Sequence, residues 1–307
     1  SFLLLSLLTL NLNLMSDIVP VEDFYKKSDL GSVRISPSGK YLSTKITLDK
    51  TSAVVITERA TNKTTHIQHF GEDSFVGGYY WLSDERIGFS LRKKGAAYAQ
   101  PFYMGQMEAV NADGSQKKMI IGSANVRRAS RVVRNDVGRT AFSVISRYKE
   151  DKDHILVGMY EKDYPSLYKV NIHTGKKSKI ATSPAMRGGI TLDTNNEFRL
   201  SIGENIKNQR TVYYRDSLDS EWELHGVYSM GQGEVIPFDF SPDNSFLYAY
   251  CNIEASTDGI CKYYPKTKTT ELIYRNENVD ADAWIDRDTN ELLSINVYDG
   301  KGEEIWM

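Results

Sequence analysis

The chain is built of short apolar segments separated by polar turns, and this pattern recurs along almost its whole length. Short apolar segments bounded by turn residues are typical of β-strands. One recurring unit is an apolar segment, a polar turn and a second apolar segment, and its turns begin 45 to 58 residues apart, near positions 36, 83, 135, 193, 241 and 286. The six copies are residues 33–42, 80–89, 133–142, 190–198, 238–247 and 283–293.

A second class of turn falls between the copies of the first. Gly, Asn and Asp recur in these turns and accept the positive φ angles that tight hairpins require. The flanking segments, for example residues 167–172, alternate apolar and polar positions as half-buried strands do. The five turns of this class are residues 60–63, 112–115, 173–176, 217–220 and 265–268.

Each repeat therefore holds about four strands and two hairpin turns, which is the organisation of a β-propeller blade. A β-sandwich would show turns at even short spacing without this longer period, and a βαβ fold would need amphipathic helices between its strands. The sequence predicts an all-β propeller of four-stranded antiparallel blades over residues 18–307. Six blades are visible, and the sixth is incomplete.

Charge and cysteine content narrow the possible functions. The 38 Lys and Arg residues nearly balance the 40 Asp and Glu residues, giving a net charge of −2. Without a strongly basic block we expect no nucleic-acid partner, because binding to phosphates requires clustered cationic side chains. Two cysteines are too few for a cysteine-rich zinc module or a disulfide scaffold.

The first residues contain an apolar run at positions 2–14. This run is shorter than the roughly 18 apolar residues that span a bilayer, so we expect no membrane span. Its length fits the core of a signal peptide, and residues 1–17 are predicted to be the remnant of one. The protein is then expected in the periplasm or outside the cell. The alternative is a buried first strand or helix.

Several motifs resemble a known family. Phe240-Ser-Pro-Asp-Asn-Ser-Phe-Leu-Tyr248 is followed by Tyr263-Tyr-Pro-Lys-Thr-Lys268, and the chain begins its repeats after Val19-Pro-Val-Glu-Asp-Phe-Tyr25. Together these resemble the propeller of prolyl oligopeptidase-type serine peptidases, in the acylaminoacyl-peptidase and dipeptidyl-aminopeptidase branch. Similar turns occur in TolB-like propellers, so the alternative is a free-standing propeller that binds a protein or a ligand.

The resemblance implies a propeller of seven blades, of which this chain would hold an incomplete set. In that family the propeller covers a C-terminal α/β-hydrolase domain and restricts access to short peptides. The catalytic Ser, Asp and His belong to the hydrolase domain, which would follow Met307. The implied partners are that domain of the same parent chain and short peptide substrates, and the full-length parent is expected to be a serine peptidase.

The residues present offer no catalytic centre. An α/β-hydrolase nucleophile needs Gly-x-Ser-x-Gly on a strained strand-to-helix turn, and the sequence contains no such pentapeptide. His66 and His69 are three apart in a strand-like segment, so their side chains should lie on opposite faces and share no metal. We therefore expect no catalytic residue, metal site or cofactor in this chain, and no hydrolysis by it alone.

Two acidic residues are weak candidates for substrate binding. Asp280 and Asp282 alternate along the start of a strand, so they could share a face near the mouth of the channel. A pair of carboxylates there would attract the amine of a peptide.

The two cysteines are predicted to form a disulfide. If residues 246–253 and 259–264 form a hairpin centred on residue 256, Cys251 lies directly opposite Cys261. Opposed residues have Cα atoms about 4.5 to 5.5 Å apart, within disulfide range, and such bonds persist in an exported protein. The alternative is two free thiols packed as small apolar side chains, which a register slip of one residue would enforce.

Overall fold

The computed structural model describes residues 30–48, 50–95, 100–122, 141–147, 151–160, 162–229 and 233–307. Its regular secondary structure consists of 23 strands in six sheets. The first sheet contains β1 (Leu30–Ile35), β2 (Tyr41–Leu48), β3 (Thr51–Glu58) and β4 (Lys63–His69). The second contains β5 (Ser74–Trp81), β6 (Arg86–Lys93), β7 (Phe102–Asn111) and β8 (Lys118–Ile121). The third contains β9 (Ala141–Arg147), β10 (His154–Tyr160), β11 (Ser166–Asn171) and β12 (Lys177–Thr182).

The remaining three sheets follow the same plan. The fourth contains β13 (Thr191–Leu192), β14 (Phe198–Glu204), β15 (Arg210–Tyr214) and β16 (Glu223–Tyr228). The fifth contains β17 (Val235–Phe240), β18 (Leu247–Cys251), β19 (Gly259–Tyr264) and β20 (Thr269–Tyr274). The sixth has only three strands, β21 (Ala281–Ile285), β22 (Leu292–Asp299) and β23 (Lys301–Trp306). Within every sheet consecutive strands pair antiparallel, so the predicted fold of four-stranded blades with an incomplete sixth blade is confirmed.

Apolar cores lie between consecutive sheets and hold the sheets together. A central strand such as β10 is buried on both faces, because Ile155 packs toward the second sheet and Leu156 toward the fourth. This explains its continuous apolar sequence, since only a strand with one exposed face needs alternation. Each of the five cores contains residues from two consecutive sheets. In chain order, the cores include Ile56 and Phe89, Met107 and Ile155, Leu156 and Phe198, Leu200 and Phe240, and Ile260 and Ile295.

The outer faces of the first and sixth sheets carry exposed apolar side chains. Val33 and Ile35 of β1 are 59% and 57% exposed, on the face opposite the core residue Ile56. On the sixth sheet, Trp284 and Trp306 are 50% and 64% exposed and pack edge to face. The described residues form no apolar core between these two sheets. No helix in the described ranges is long and apolar enough to span a membrane.

The predicted turns agree with the observed hairpins except in the third sheet. All five turns of the second class join the third and fourth strands of a sheet. Five copies of the first class join the first and second strands. The copy at 133–142 was placed wrongly, because its Ala141 and Phe142 already belong to β9 and the first hairpin of the third sheet lies between Arg147 and His154. Residues 123–140, like the predicted signal-peptide remnant at 1–17, lie outside the described residues.

Asparagines in the first hairpin turns link each of the last three sheets to the sheet before it. Asn196, Asn244 and Asn290 all have positive φ, between 58° and 63°, which asparagine tolerates better than most residues. Asn196 Oδ1 accepts a hydrogen bond from the Ser146 hydroxyl at 3.0 Å, and Asn244 Nδ2 donates to Thr194 Oγ1 at 2.6 Å. Asn290 Nδ2 donates to both Asp239 Oδ1 (3.1 Å) and the Phe240 carbonyl oxygen (3.2 Å). These asparagine links fix the turns where the first strands of neighbouring sheets meet.

Candidate functional site

A cavity lies where the ends of first strands from four sheets come together. Its volume is about 740 Å³, within the range of ligand-binding sites in proteins. We call it the channel cavity. Its lining comes from the first, second, third and sixth sheets and comprises Arg34, Ile35, Tyr80, Trp81, Val144, Ile145, Ser146, Arg147, Arg287 and Asp288.

Three arginines surround the channel cavity, and each lies within two residues of the end of a first strand. Arg34 stands in β1, Arg147 ends β9, and Arg287 follows β21. The Arg34 guanidinium lies 5.3 Å from the ring centroid of Tyr79 and 5.4 Å from that of Tyr80. Such cation–π contact holds the group over the aromatic faces while its N–H edge stays available for hydrogen bonds.

A smaller cavity of about 270 Å³ adjoins the channel cavity and shares Ile145, Ser146 and Arg287 with it. Asp239, in its wall, accepts hydrogen bonds from Asn290 and from the backbone N–H of Phe240. Burial raises the pKa of Asp239 above its ordinary value, and this outweighs the Phe240 N–H bond and the charge of Arg287, which lower it. Perturbed carboxyl groups beside cavities are characteristic of functional sites.

The predicted pair Asp280 and Asp282 lines a different cavity. This sixth-sheet cavity has a volume of about 440 Å³ and also includes Tyr298, Glu303 and Glu304. It lies at the start of β21, whereas Arg287 follows the end of that strand. Asp280 Oδ1 accepts from the backbone N–H of Asp258 at 2.8 Å, and Asp282 Oδ1 accepts from the Tyr250 hydroxyl at 2.6 Å. Their role in binding a peptide amine stays a prediction.

Cys251 and Cys261 are joined by a disulfide, with Cα atoms 6.1 Å apart. The predicted register was wrong, because Cys251 lies opposite Gly259 and Cys261 opposite Ala249, which centres the hairpin on residue 255. The change moves the partner by two positions, so both cysteines keep the same face and meet diagonally. A Cα separation of 6.1 Å is within the range for a disulfide.

The histidines and carboxylates were predicted to hold no metal, and the described residues first show the placement of the histidine pair. His66 pairs with Ile56 and His69 with Ala53, so the two side chains lie on opposite faces of β4 as predicted. Within the described part of the chain, no three His, Cys, Asp or Glu side chains are grouped to hold a metal ion.

Sequence reasoning missed the three arginines of the channel cavity. Each stands in a different repeat, and in isolation each looks like an ordinary polar residue beside a turn. The signal that could have found them is their shared position, because an arginine near the end of the first strand recurs in three repeats. In a propeller those strand ends converge.

Comparison with known proteins bears on the fold. No protein-family model matches the sequence, and no curated protein matches it either. Dipeptidyl peptidase 4 of Porphyromonas gingivalis matches with a TM-score of 0.53 and 10% identity, over 88% of this chain and 42% of the peptidase. A prolyl endopeptidase matches with a TM-score of 0.50 and 9% identity, over 87% of this chain and 37% of that protein.

The acylaminoacyl peptidase of Pyrococcus horikoshii matches with a TM-score of 0.46 and 11% identity, over 92% of this chain and 45% of the peptidase. The chain spans less than half the length of each of these three proteins. At such identities structural likeness establishes the fold alone, and the resemblance predicted from the motifs is confirmed at that level. The chain has a β-propeller fold, and a dipeptidyl peptidase and a prolyl endopeptidase are among its structural neighbours.

Proposed function

We propose that this propeller restricts access to the catalytic domain of a prolyl oligopeptidase-type serine peptidase that hydrolyses short peptides. The observation that carries the proposal is the channel cavity, lined by four sheets in a fold that a dipeptidyl peptidase and a prolyl endopeptidase share. A walled cavity of about 740 Å³ admits a few residues of an extended peptide and excludes a folded protein.

The chain itself takes no part in bond cleavage under this proposal. It lacks the Gly-x-Ser-x-Gly turn that would expose a nucleophile, so hydrolysis belongs to an α/β-hydrolase domain of the same parent chain. The contribution of the propeller is selection by size and exclusion of bulk solvent from the site of reaction.

The same proposal places the protein in the periplasm or outside the cell. The apolar run at residues 2–14 supports export, because its length is that of a signal-peptide core. The Cys251–Cys261 disulfide supports an oxidising compartment, since such bonds are rare in a reducing cytosol.

The coding sequence that follows Met307 is the most direct test. A Gly-x-Ser-x-Gly pentapeptide with a later Asp and His supports the proposal. A stop codon directly after Met307 contradicts it and favours the free-standing, TolB-like propeller.

A binding experiment tests size selection on the chain as it is. The purified chain should bind a free neutral pentapeptide and should not bind the same five residues inserted in a surface loop of a folded protein. Equal binding of both contradicts selection by size. Chromogenic peptides should not be turned over, and turnover abolished by a serine reagent would reveal a catalytic site in these residues.

A further inference from the structure

The channel cavity has an excess of positive charge that the proposed function does not explain. Among its described lining residues, Arg34, Arg147 and Arg287 stand beside one carboxylate, Asp288, although the whole chain has a net charge of −2. The three cations come from the first, third and sixth sheets, so folding gathers them from positions more than 100 residues apart. All three arginines are exposed, and a concentration of like charge on a concave surface favours a ligand of opposite charge.

None of the three arginines forms an ion pair with a carboxylate among the described residues, within 4.0 Å. Arg34 contacts aromatic rings, and Arg287 interacts electrostatically with Asp239 without an ion pair. Asp239 already accepts hydrogen bonds from Asn290 and Phe240. By contrast, Arg199 Nη1 forms an ion pair with Oδ2 of the buried Asp193 at 3.0 Å. The guanidinium groups around the channel cavity therefore retain N–H donors for a ligand.

We propose that the channel cavity selects short acidic peptides by holding a peptide carboxylate among Arg34, Arg147 and Arg287. A guanidinium donates two parallel hydrogen bonds to a carboxylate, which gives geometric as well as electrostatic selectivity. Tyr80, which is partly exposed, supplies an aromatic surface for the rest of the peptide. The proposal rests on the proposed function, because it names the class of peptide that the channel admits.

The experiment is fluorescence anisotropy of the 307-residue chain with four labelled pentapeptides. Two contain glutamates and two contain glutamines in their place, and each pair has one free and one amidated C-terminus. We expect at least one carboxylate-bearing peptide to bind about tenfold or more tightly than the amidated glutamine peptide, since hydrogen bonds to charged groups are strong. Preference for glutamate identifies side-chain carboxylates, and preference for the free end identifies the terminal carboxylate.

Substitution shows whether the arginines are responsible. Arg34→Gln, Arg147→Gln and Arg287→Gln should each lower the affinity for the preferred peptide about tenfold. Arg187→Gln is the matched control, because Arg187 is an exposed arginine paired with Glu204 outside the channel cavity. Each variant is checked for an unchanged melting temperature, and the peptide panel with unaltered protein remains decisive if one variant unfolds.

Three outcomes overturn the proposal: equal binding of all four peptides, no binding of any, or a preference for inorganic phosphate over acidic peptides. Its failure is distinct from failure of the proposed function. A chain that binds free peptides regardless of charge and rejects the folded protein keeps the proposed function and loses this inference. A chain that binds acidic residues equally well on a folded protein keeps the arginine site and loses selection by size.

Discussion

The channel cavity and the sixth-sheet cavity differ in charge and in construction. The channel cavity presents three arginines that come from three sheets. The sixth-sheet cavity presents four carboxylates, and all its lining residues belong to one sheet or directly precede it. Its shape depends on two hairpins within that sheet, whereas the channel cavity depends on how whole sheets are placed.

This difference indicates which kind of substitution should disturb each cavity. A change in the contacts between sheets moves the three arginines relative to one another, whereas the residues that line the sixth-sheet cavity stay together because they share one sheet. A change of charge acts on the local cavity alone, because exposed charges are screened beyond about 8–10 Å at physiological ionic strength. The following predictions separate the two sites on these grounds.

Reversal of one charge in the channel cavity should have the largest effect. Arg287→Glu removes hydrogen bonds to a ligand carboxylate and adds a repelling charge, so the affinity for an acidic pentapeptide should fall about 100-fold. Anisotropy measures the change, with Arg187→Glu as the control. An unchanged affinity of Arg287→Glu for the acidic peptide would show that the channel cavity is not the anion-binding site.

Removal of the disulfide should destabilise the chain without altering either cavity, because neither contains a cysteine. The bond closes a loop with a sequence separation of 10, so Cys251→Ala with Cys261→Ala should cost about 2–3 kcal/mol of unfolding free energy. Denaturant titration measures this loss. Dithiothreitol should lower the unfolding free energy of the original chain and leave that of the variant unchanged, and no effect on the original chain would show that no bond had formed.

Breaking one asparagine link should weaken binding in the channel cavity. Asn290→Ala removes two hydrogen bonds and places alanine at a φ of 59°, so we expect a loss of about 2 kcal/mol. The turn also carries Arg287, so acidic-peptide affinity should fall about fivefold. Asn290→Gly is the matched control, since glycine keeps the positive φ and loses only the hydrogen bonds. Unchanged affinity in both variants would contradict a role for the link.

Neutralising Asp239 should strengthen both folding and anion binding. Because its folded pKa is raised, the stability it contributes is present below its ordinary pKa and is lost as the pH rises through the folded pKa. Asp239→Asn should therefore raise the melting temperature at pH 7, with a smaller difference toward pH 4. Acidic peptides should bind about threefold more tightly, because the variant removes a nearby negative charge.

Asp243 provides the control for this experiment. Hydrogen bonds from Ser245 lower the pKa of Asp243, so Asp243→Asn should not raise the melting temperature at pH 7. A similar gain in both variants would show that burial of Asp239 is not the cause.

The smallest effect is expected in the sixth-sheet cavity. Asp282 is exposed, and exposed ion pairs contribute at most about 1 kcal/mol, so Asp282→Asn should lower the affinity for a lysine-containing peptide only about twofold. Asp288→Asn, in the channel cavity, should leave the binding of that peptide unchanged. No change in the first variant would remove Asp282 as a substrate-binding candidate.

The fold could be predicted from the sequence because each repeat contains its own turn signals. Hairpins such as the one after Asn111 are local, and their Gly and Asp residues identify them without knowledge of the rest of the chain. The first hairpin of the third repeat was predicted wrongly for a physical reason. Turn residues near position 135 indicate a hairpin there, so the charged residues before His154, where the hairpin lies, were not recognised.

The sites were harder to predict. Register follows from the conformation of a few turn residues, and Glu254, with a φ of 53°, helps set the hairpin centre one residue from the expected position. The channel cavity requires knowing that Arg34 and Arg287, 253 positions apart, approach the same space. No local pattern contains that information, because it arises from the stacking of all the sheets between them.

The asparagine links also have a consequence for how the chain is made. Each link joins a turn to a residue about 50 positions earlier, in the sheet that leaves the ribosome just before it. Because a new hairpin finds its hydrogen-bond partners on a sheet that already exists, we expect the last three sheets to fold in order during synthesis. A ribosome stalled after residue 268 should then display protease-resistant third and fourth sheets before the fifth is complete.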